Sequence, residues 1–153
     1  MNQNKDIKLQ IIEKLAALID SRIEWIKQSI ETAKNSRDNE TKSSVGDKYE
    51  TGRAMVQMEI EKTQSLLMKT KHQKDTLTKI DIQKEFKKVE YGSLVETNYG
   101  NYFLSIAFGK IEINEISIFC ISPISPLGKN IMKKIVGEKI IFQGKEILVQ
   151  NIC

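Results

Sequence analysis

The chain is poor in the residues that most enzymes and secreted scaffolds depend on, with two cysteines, two prolines and one histidine among 153 residues. Cys120 and Cys153 are too few to staple a disulfide-rich secreted fold. Apolar runs reach only a few positions, as in Ile118-Phe119-Cys120-Ile121, so no membrane span is expected. The opening Met1-Asn2-Gln3-Asn4-Lys5-Asp6 lacks the basic-then-apolar order of a secretory signal. A cytoplasmic chain with no membrane partner is therefore expected. There is no Cys/His metal spacing, phosphate-cradling glycine loop or nucleophile elbow. His72 lies in the polar stretch Lys69–Lys74 and reads as a solvated helix residue, while Cys120, between Phe119 and Ile121, reads as a small buried apolar group. With no converging reactive groups, the chain is expected not to be an enzyme on its own and to bind no cofactor or metal by itself.

What is present divides along the chain. Residues 1–84 carry 16 basic and 13 acidic side chains, and residues 85–153 carry 8 and 7. The net charge of +4 is thus spread in alternating signs, as on solvated helix surface, and is not gathered into the basic stripe of a nucleic-acid binder. Residues 1–84 hold two aromatics (Trp25 and Tyr49), two glycines and no proline, whereas residues 85–153 hold eight aromatics, six glycines and both prolines. The first composition predicts helix and the second predicts strands and turns. The change falls near Thr78–Glu85. The fold class read from this is α+β, with residues 1–80 as one module and 85–153 as another.

In the first module Ile12, Leu15, Ile19, Ile23, Ile26, Ile30 and Ala33 recur at three- and four-residue steps, flanked by a row of Ile11, Leu18 and Trp25. A second seam contains Tyr49, Val56, Ile60, Thr63, Leu67, Thr70 and Leu77. The two are separated by a polar stretch near 35–47. Two long amphipathic helices joined in this way predict an antiparallel coiled-coil hairpin, each arm about 45 Å long at about 1.5 Å per residue.

The second module predicts adjacent antiparallel strands at Lys88–Thr97 and Asn101–Phe108, and a further strand over Glu112–Ile121. Ser125 followed by Pro126 is a helix start, since the hydroxyl caps and proline suits the first turn. From that start the short helix is expected to run on through Lys129–Val136 and to be ended by Gly137. A closing hairpin of Glu138–Phe142 and Glu146–Ile152 turns at Gln143-Gly144-Lys145.

The inter-helix stretch is the chemically distinctive place. Asp38, Glu40, Asp47 and Glu50 place four carboxylates within thirteen residues. Hard cations such as Mg²⁺ take carboxylate oxygens and share coordination with phosphate. Asp47 has two roles open to it. Its spacing to Glu50 fits a capping box, which the local pattern favours, and its charge fits metal delivery.

The segment Ile121-Ser122-Pro123-Ile124-Ser125-Pro126-Leu127-Gly128-Lys129, followed by Ile131-Met132, Lys134 and Val136-Gly137-Glu138, resembles the C-terminal signature of the bacterial Gre transcription-cleavage factors. In that family an S-P-[IL]-G-[KR] turn opens a short helix, here Ser125, Pro126, Leu127, Gly128 and Lys129. A V-G-[DE] step then leads into the last strands of an FKBP-like domain. Lys48-Tyr49-Glu50-Thr51-Gly52-Arg53 is similar to the family's E-Y-x-A-[AK]-[KR] segment, with Tyr49 and Arg53 as the matching positions. The module order matches as well.

The resemblance implies a transcription elongation factor or modulator that binds RNA polymerase as a monomer, touching nucleic acid only through the polymerase. Its hairpin would enter the secondary channel, and tip acids would share the polymerase's Mg²⁺ to assist cleavage of backtracked RNA. The tip departs from the family pattern D-x-x-E-N-A-E-Y, since aligning on Tyr49 places Lys42 and Val45 where the family has its key acids. The family's tip roles therefore do not transfer to Asp47 and Glu50, and stimulation or mere occupancy of the channel both stay open. The alternative from another class is a structural or adaptor coiled coil that self-associates as a dimer.

Overall fold

A computed structural model describes residues 3–40 and 46–153, the side chains of residues 40 and 46–49 excepted. It is an α+β fold. Two long helices, α1 (Gln3–Glu40) and α2 (Gly46–Thr78), precede strands β1 (Leu94–Thr97), β2 (Gly100–Leu104), β3 (Gly109–Ile113) and β4 (Ile116–Ile121). A short helix α3 (Pro126–Ile131) and strands β5 (Lys139–Phe142) and β6 (Lys145–Ile152) follow. No described helix is long and apolar enough to cross a membrane. Contacts group the chain into two compact units, one of Met1–Leu15 with Thr76–Cys153 and one of Ala16–Asp75.

In the Ala16–Asp75 unit, the apolar periodicity becomes a helix-to-helix seam. Ile26, Ile30 and Ile60 are buried, with Ala33, Val56 and Leu67 packed against them. The pairing runs antiparallel: Asp20 meets Lys74 in an ion pair, and Arg37 donates to Gln57 Oε1 at 2.6 Å. Thr70 is buried within the seam. Its hydroxyl donates to the Leu66 carbonyl at 2.8 Å, so the polar group costs little there. The expected flanking row divides. Ile11 is fully buried, but Leu18 is exposed and Trp25 is 65% exposed.

The other unit is built on a six-stranded mixed sheet of order β3-β4-β2-β1-β6-β5. All neighbours are antiparallel except β2 and β4, which run parallel. Strand alternation sends Val95, Leu104, Ile140, Ile147, Val149 and Ile152 to one face, where Val89 and Ile131 of α3 complete a buried cluster. Leu94, Phe103, Ile111, Ile118 and Cys120 share the opposite face by register and are buried too. The first turns of α1 lie on that second face. Ile7 lines a cavity with Leu94 and Ile118, Lys14 Nζ donates to the Glu112 carbonyl at 2.7 Å, and Asn114 donates to Gln10. A sheet buried on both faces is what a domain of this size needs to gather enough core.

Several boundaries differ from the sequence reading, each for a local reason. The strand expected over Lys88–Thr97 begins only at Leu94. Before it, Ser93 Oγ donates to the Glu90 carbonyl at 2.6 Å and closes a turn in which Gly92 takes φ 89°. The strand expected to Phe108 stops at Leu104. The run Glu112–Ile121 is two strands, because Asn114 (φ 49°) and Glu115 (φ 66°) form a tight hairpin turn between β3 and β4. Helix α3 starts at Pro126 with Ser125 as its cap, as expected, but ends at Ile131 and not at Val136, with Lys133 at φ 68° turning the chain away. Gly137 therefore lies outside the helix and does not cap it. The closing hairpin falls where expected, with Gln143 (φ 50°) and Gly144 (φ 75°) between β5 and β6.

Candidate functional site

The acidic candidates lie at the end of the helix pair where α1 closes and α2 opens. Asp38 is exposed on the last turn of α1, with Arg37 Nε 3.2 Å from its Oδ1. The same guanidinium reaches across to Gln57 on α2, whose amide in turn donates to Glu61 at 3.3 Å. Arg37 thus ties the two helices together while shielding one carboxylate. At this exposure the ion pair is worth well under about 1 kcal/mol, so Asp38 can exchange partners readily. Glu50 and Arg53 are exposed on the opening turns of α2. The side chains of Glu40, Asp47 and Tyr49, and residues Lys42 and Val45, lie outside the described residues, so the capping box and the metal-delivery reading are both untouched there. Among the described residues no group of three or more His, Cys, Asp or Glu side chains is placed to hold a metal ion.

A groove of about 550 Å³ opens on this helix pair, with Trp25, Ser29, Thr32 and Ala33 on one wall and Val56 and Glu59 on the other. Ser29 Oγ is turned back onto the Trp25 carbonyl at 2.9 Å. The small side chains of α1 there leave the indole standing clear of the surface. The sequence pattern placed Trp25 beside the seam and gave no sign of this exposure.

The signature turn has a steric basis. Ser125 Oγ accepts from Gly128 N at 3.1 Å and donates to the Ser122 carbonyl at 2.7 Å, capping α3 with Pro126 in its first turn. A Cβ on Gly128 would stand 2.0 Å from the Ser122 carbonyl oxygen. Glycine is required at that position because the backbone of Ser122 occupies the space a side chain would need. Leu127 packs on the sheet cluster, and Lys129 is exposed. Ser125–Lys129 is therefore a packing element that carries the chain from β4 toward β5.

The remaining candidates for chemistry stay apart. His72 is exposed on α2. Burial pushes the Cys120 thiol up to about 12, which removes it as a nucleophile near neutral pH. Cys153 is half-buried, with Sγ 3.7 Å from the Leu94 carbonyl, and burial also raises its pKa. The residue that the sequence reading passed over is Lys8, only 2% exposed. Its signal was present in the spacing, because Lys8 stands three residues before Ile11 and seven before Leu15 on the buried stripe of α1. No family model, curated protein or solved structure matches the chain.

Proposed function

We propose that the chain is a cytoplasmic transcription factor of the Gre type, acting on RNA polymerase and not catalytic by itself. The observation that carries this reading is a conjunction. An antiparallel pair of long helices precedes a mixed sheet, and that sheet is closed by a Ser125-Pro126-Leu127-Gly128 turn whose glycine is sterically required. On this reading the sheet-bearing unit corresponds to the family's FKBP-like domain and docks on the polymerase. The helix pair enters the secondary channel and brings Asp38, Glu40, Asp47 and Glu50 toward the catalytic Mg²⁺. A carboxylate there needs only to position an ion and its water for phosphoryl chemistry; it is never a nucleophile.

Retention of core RNA polymerase on the immobilised chain at low salt tests the binding step, and absence of retention ends the proposal. RNA cleavage in a backtracked complex tests the tip. Loss of stimulation in the variant carrying both Asp47→Ala and Glu50→Ala supports ion positioning by those carboxylates. A parent that binds and blocks the channel without stimulating cleavage assigns it as a modulator.

A second reading, a self-associating adaptor, is favoured by one observation. Trp25 is 65% exposed, and Met55 and Met58 on α2 are 66% and 69% exposed. Sedimentation equilibrium separates the two, since an adaptor is a stable dimer and a channel-entering factor is a monomer.

A further inference from the structure

Lys8 is held in an unusual state for a lysine. It is buried by the helical period of α1, its aliphatic stem lying on that stripe, and it lines a cavity. Its ammonium stands 4.5 Å from the centroid of the Phe86 ring. Burial lowers its pKa below 10.5, against upward pulls from Cys153 and Asp81 and with further lowering from Lys5 and Lys84. A lysine buried to this degree is expensive to fold around, and an apolar side chain would fill the position at less cost.

The ammonium borders a cavity of about 240 Å³ inside the sheet-bearing unit. Lys5 and Lys84 line the same space, with Glu85 and Cys153 also on its wall. Lys84 Nζ is 5.0 Å from the centroid of the same Phe86 ring, so two ammoniums converge on one ring. Lys84 is paired with Glu90 at 3.0 Å and Lys5 donates to Gln83 at 2.8 Å, yet each ammonium has three N–H groups and keeps donors to spare. Ile82 and Phe86 supply apolar wall. The volume is below the roughly 300–1,000 Å³ of drug-sized sites, which restricts the occupant to a small molecule.

We propose that this cavity is a binding site for a small phosphate monoester, its phosphoryl group held at Lys8 between Lys5 and Lys84 and its organic part resting on Ile82 and Phe86. A phosphoryl group offers three non-ester oxygens and up to two negative charges, matching three ammoniums where a carboxylate would leave one unmet. The bound anion adds a hydrogen-bonded counter-charge to the electrostatic pulls of Cys153 and Asp81 on Lys8. The site is independent of polymerase binding.

Isothermal titration of the full chain with inorganic phosphate and with phenyl phosphate, at constant ionic strength in chloride, tests it. The parent binds both saturably at one site, phenyl phosphate about fivefold more tightly because its ring covers apolar wall. Lys8→Met, which keeps the stem and removes the charge, weakens both by about tenfold or more. Lys5→Gln, at the cavity edge, weakens both by a few-fold and decides the question if Lys8→Met does not fold. Absence of saturable binding in the parent, or parental affinity in either folded variant, overturns the proposal; equal affinity for the two probes removes the ester and its apolar contact from it.

Discussion

The Tyr91 hydroxyl donates to the Thr76 carbonyl at 2.6 Å, joining the segment before β1 to the last turn of α2. The Thr76 carbonyl, in the last turn of α2, also accepts from Lys79 N at 3.2 Å. A side chain fifteen residues farther along adds a second donor, and burial raises the phenol's pKa. Tyr91→Phe removes that donor and leaves the carbonyl to the Lys79 N–H alone. The expected loss is about 1 kcal/mol of stability, read as a lower urea midpoint at unchanged slope.

The α3 turn makes a graded prediction. Ser125→Ala loses a cap and should cost about 1 kcal/mol. Gly128→Ala sets a methyl 2.0 Å from the backbone oxygen of Ser122, where no side chain can yield. It should cost about 3 kcal/mol or more, since the turn itself must shift. Thermal unfolding of the two variants should rank Gly128→Ala well below Ser125→Ala.

Ser105 makes the opposite prediction. It is 4% exposed, and its hydroxyl finds no hydrogen-bond partner among the described residues. Ser105→Ala removes the desolvated group with little change in volume and should raise stability by up to about 1 kcal/mol. Chemical denaturation checks the sign.

Cys120 sets an alkaline limit. Its thiol is held near 12 in the folded chain against 9.0 for the free group, because burial disfavours the thiolate. Between those values the unfolded chain releases a proton that the folded chain keeps. The resulting stability is fully present below about pH 9 and is lost as pH climbs toward 12, at about 1.4 kcal/mol per pH unit for one group. In Cys120→Ala this slope disappears, so the gap between parent and variant is constant below pH 9 and narrows above it. Tyr91, Tyr102 and Cys153, also raised by burial, contribute equally to both proteins and cancel in the comparison.

The helices were legible because a 3.6-residue period needs only apolar side chains in step, and Ile26, Ile30 and Ile60 supply them. The hairpin at Gln143-Gly144 was legible because glycine marks positive φ. The turn at Asn114-Glu115 was hidden in an unbroken strand-like run. Glutamate rarely adopts the left-handed conformation, and nothing local announces that the β3–β4 pairing will impose it. The end of α3 was misjudged for the same reason, since Lys133 turns at φ 68° while its N–H donates to the Val89 carbonyl at 2.7 Å. A backbone bond to a distant segment leaves no mark in neighbouring letters. Of the site candidates, the acidic residues were found by composition. Lys8 was missed because a lysine among alternating charges reads as solvated until the face of the helix it occupies is counted.

The bonds from Lys14 to Glu112 and from Asn114 to Gln10 span 98 and 104 positions of chain. Ile11 and Leu15, made first, have no sheet to cover until β4 has left the ribosome, about 5–20 s later at ordinary elongation rates. During that interval the nascent chain carries a bare apolar stripe. Folding of the sheet-bearing unit is therefore completed late in synthesis, however early its first helix can form.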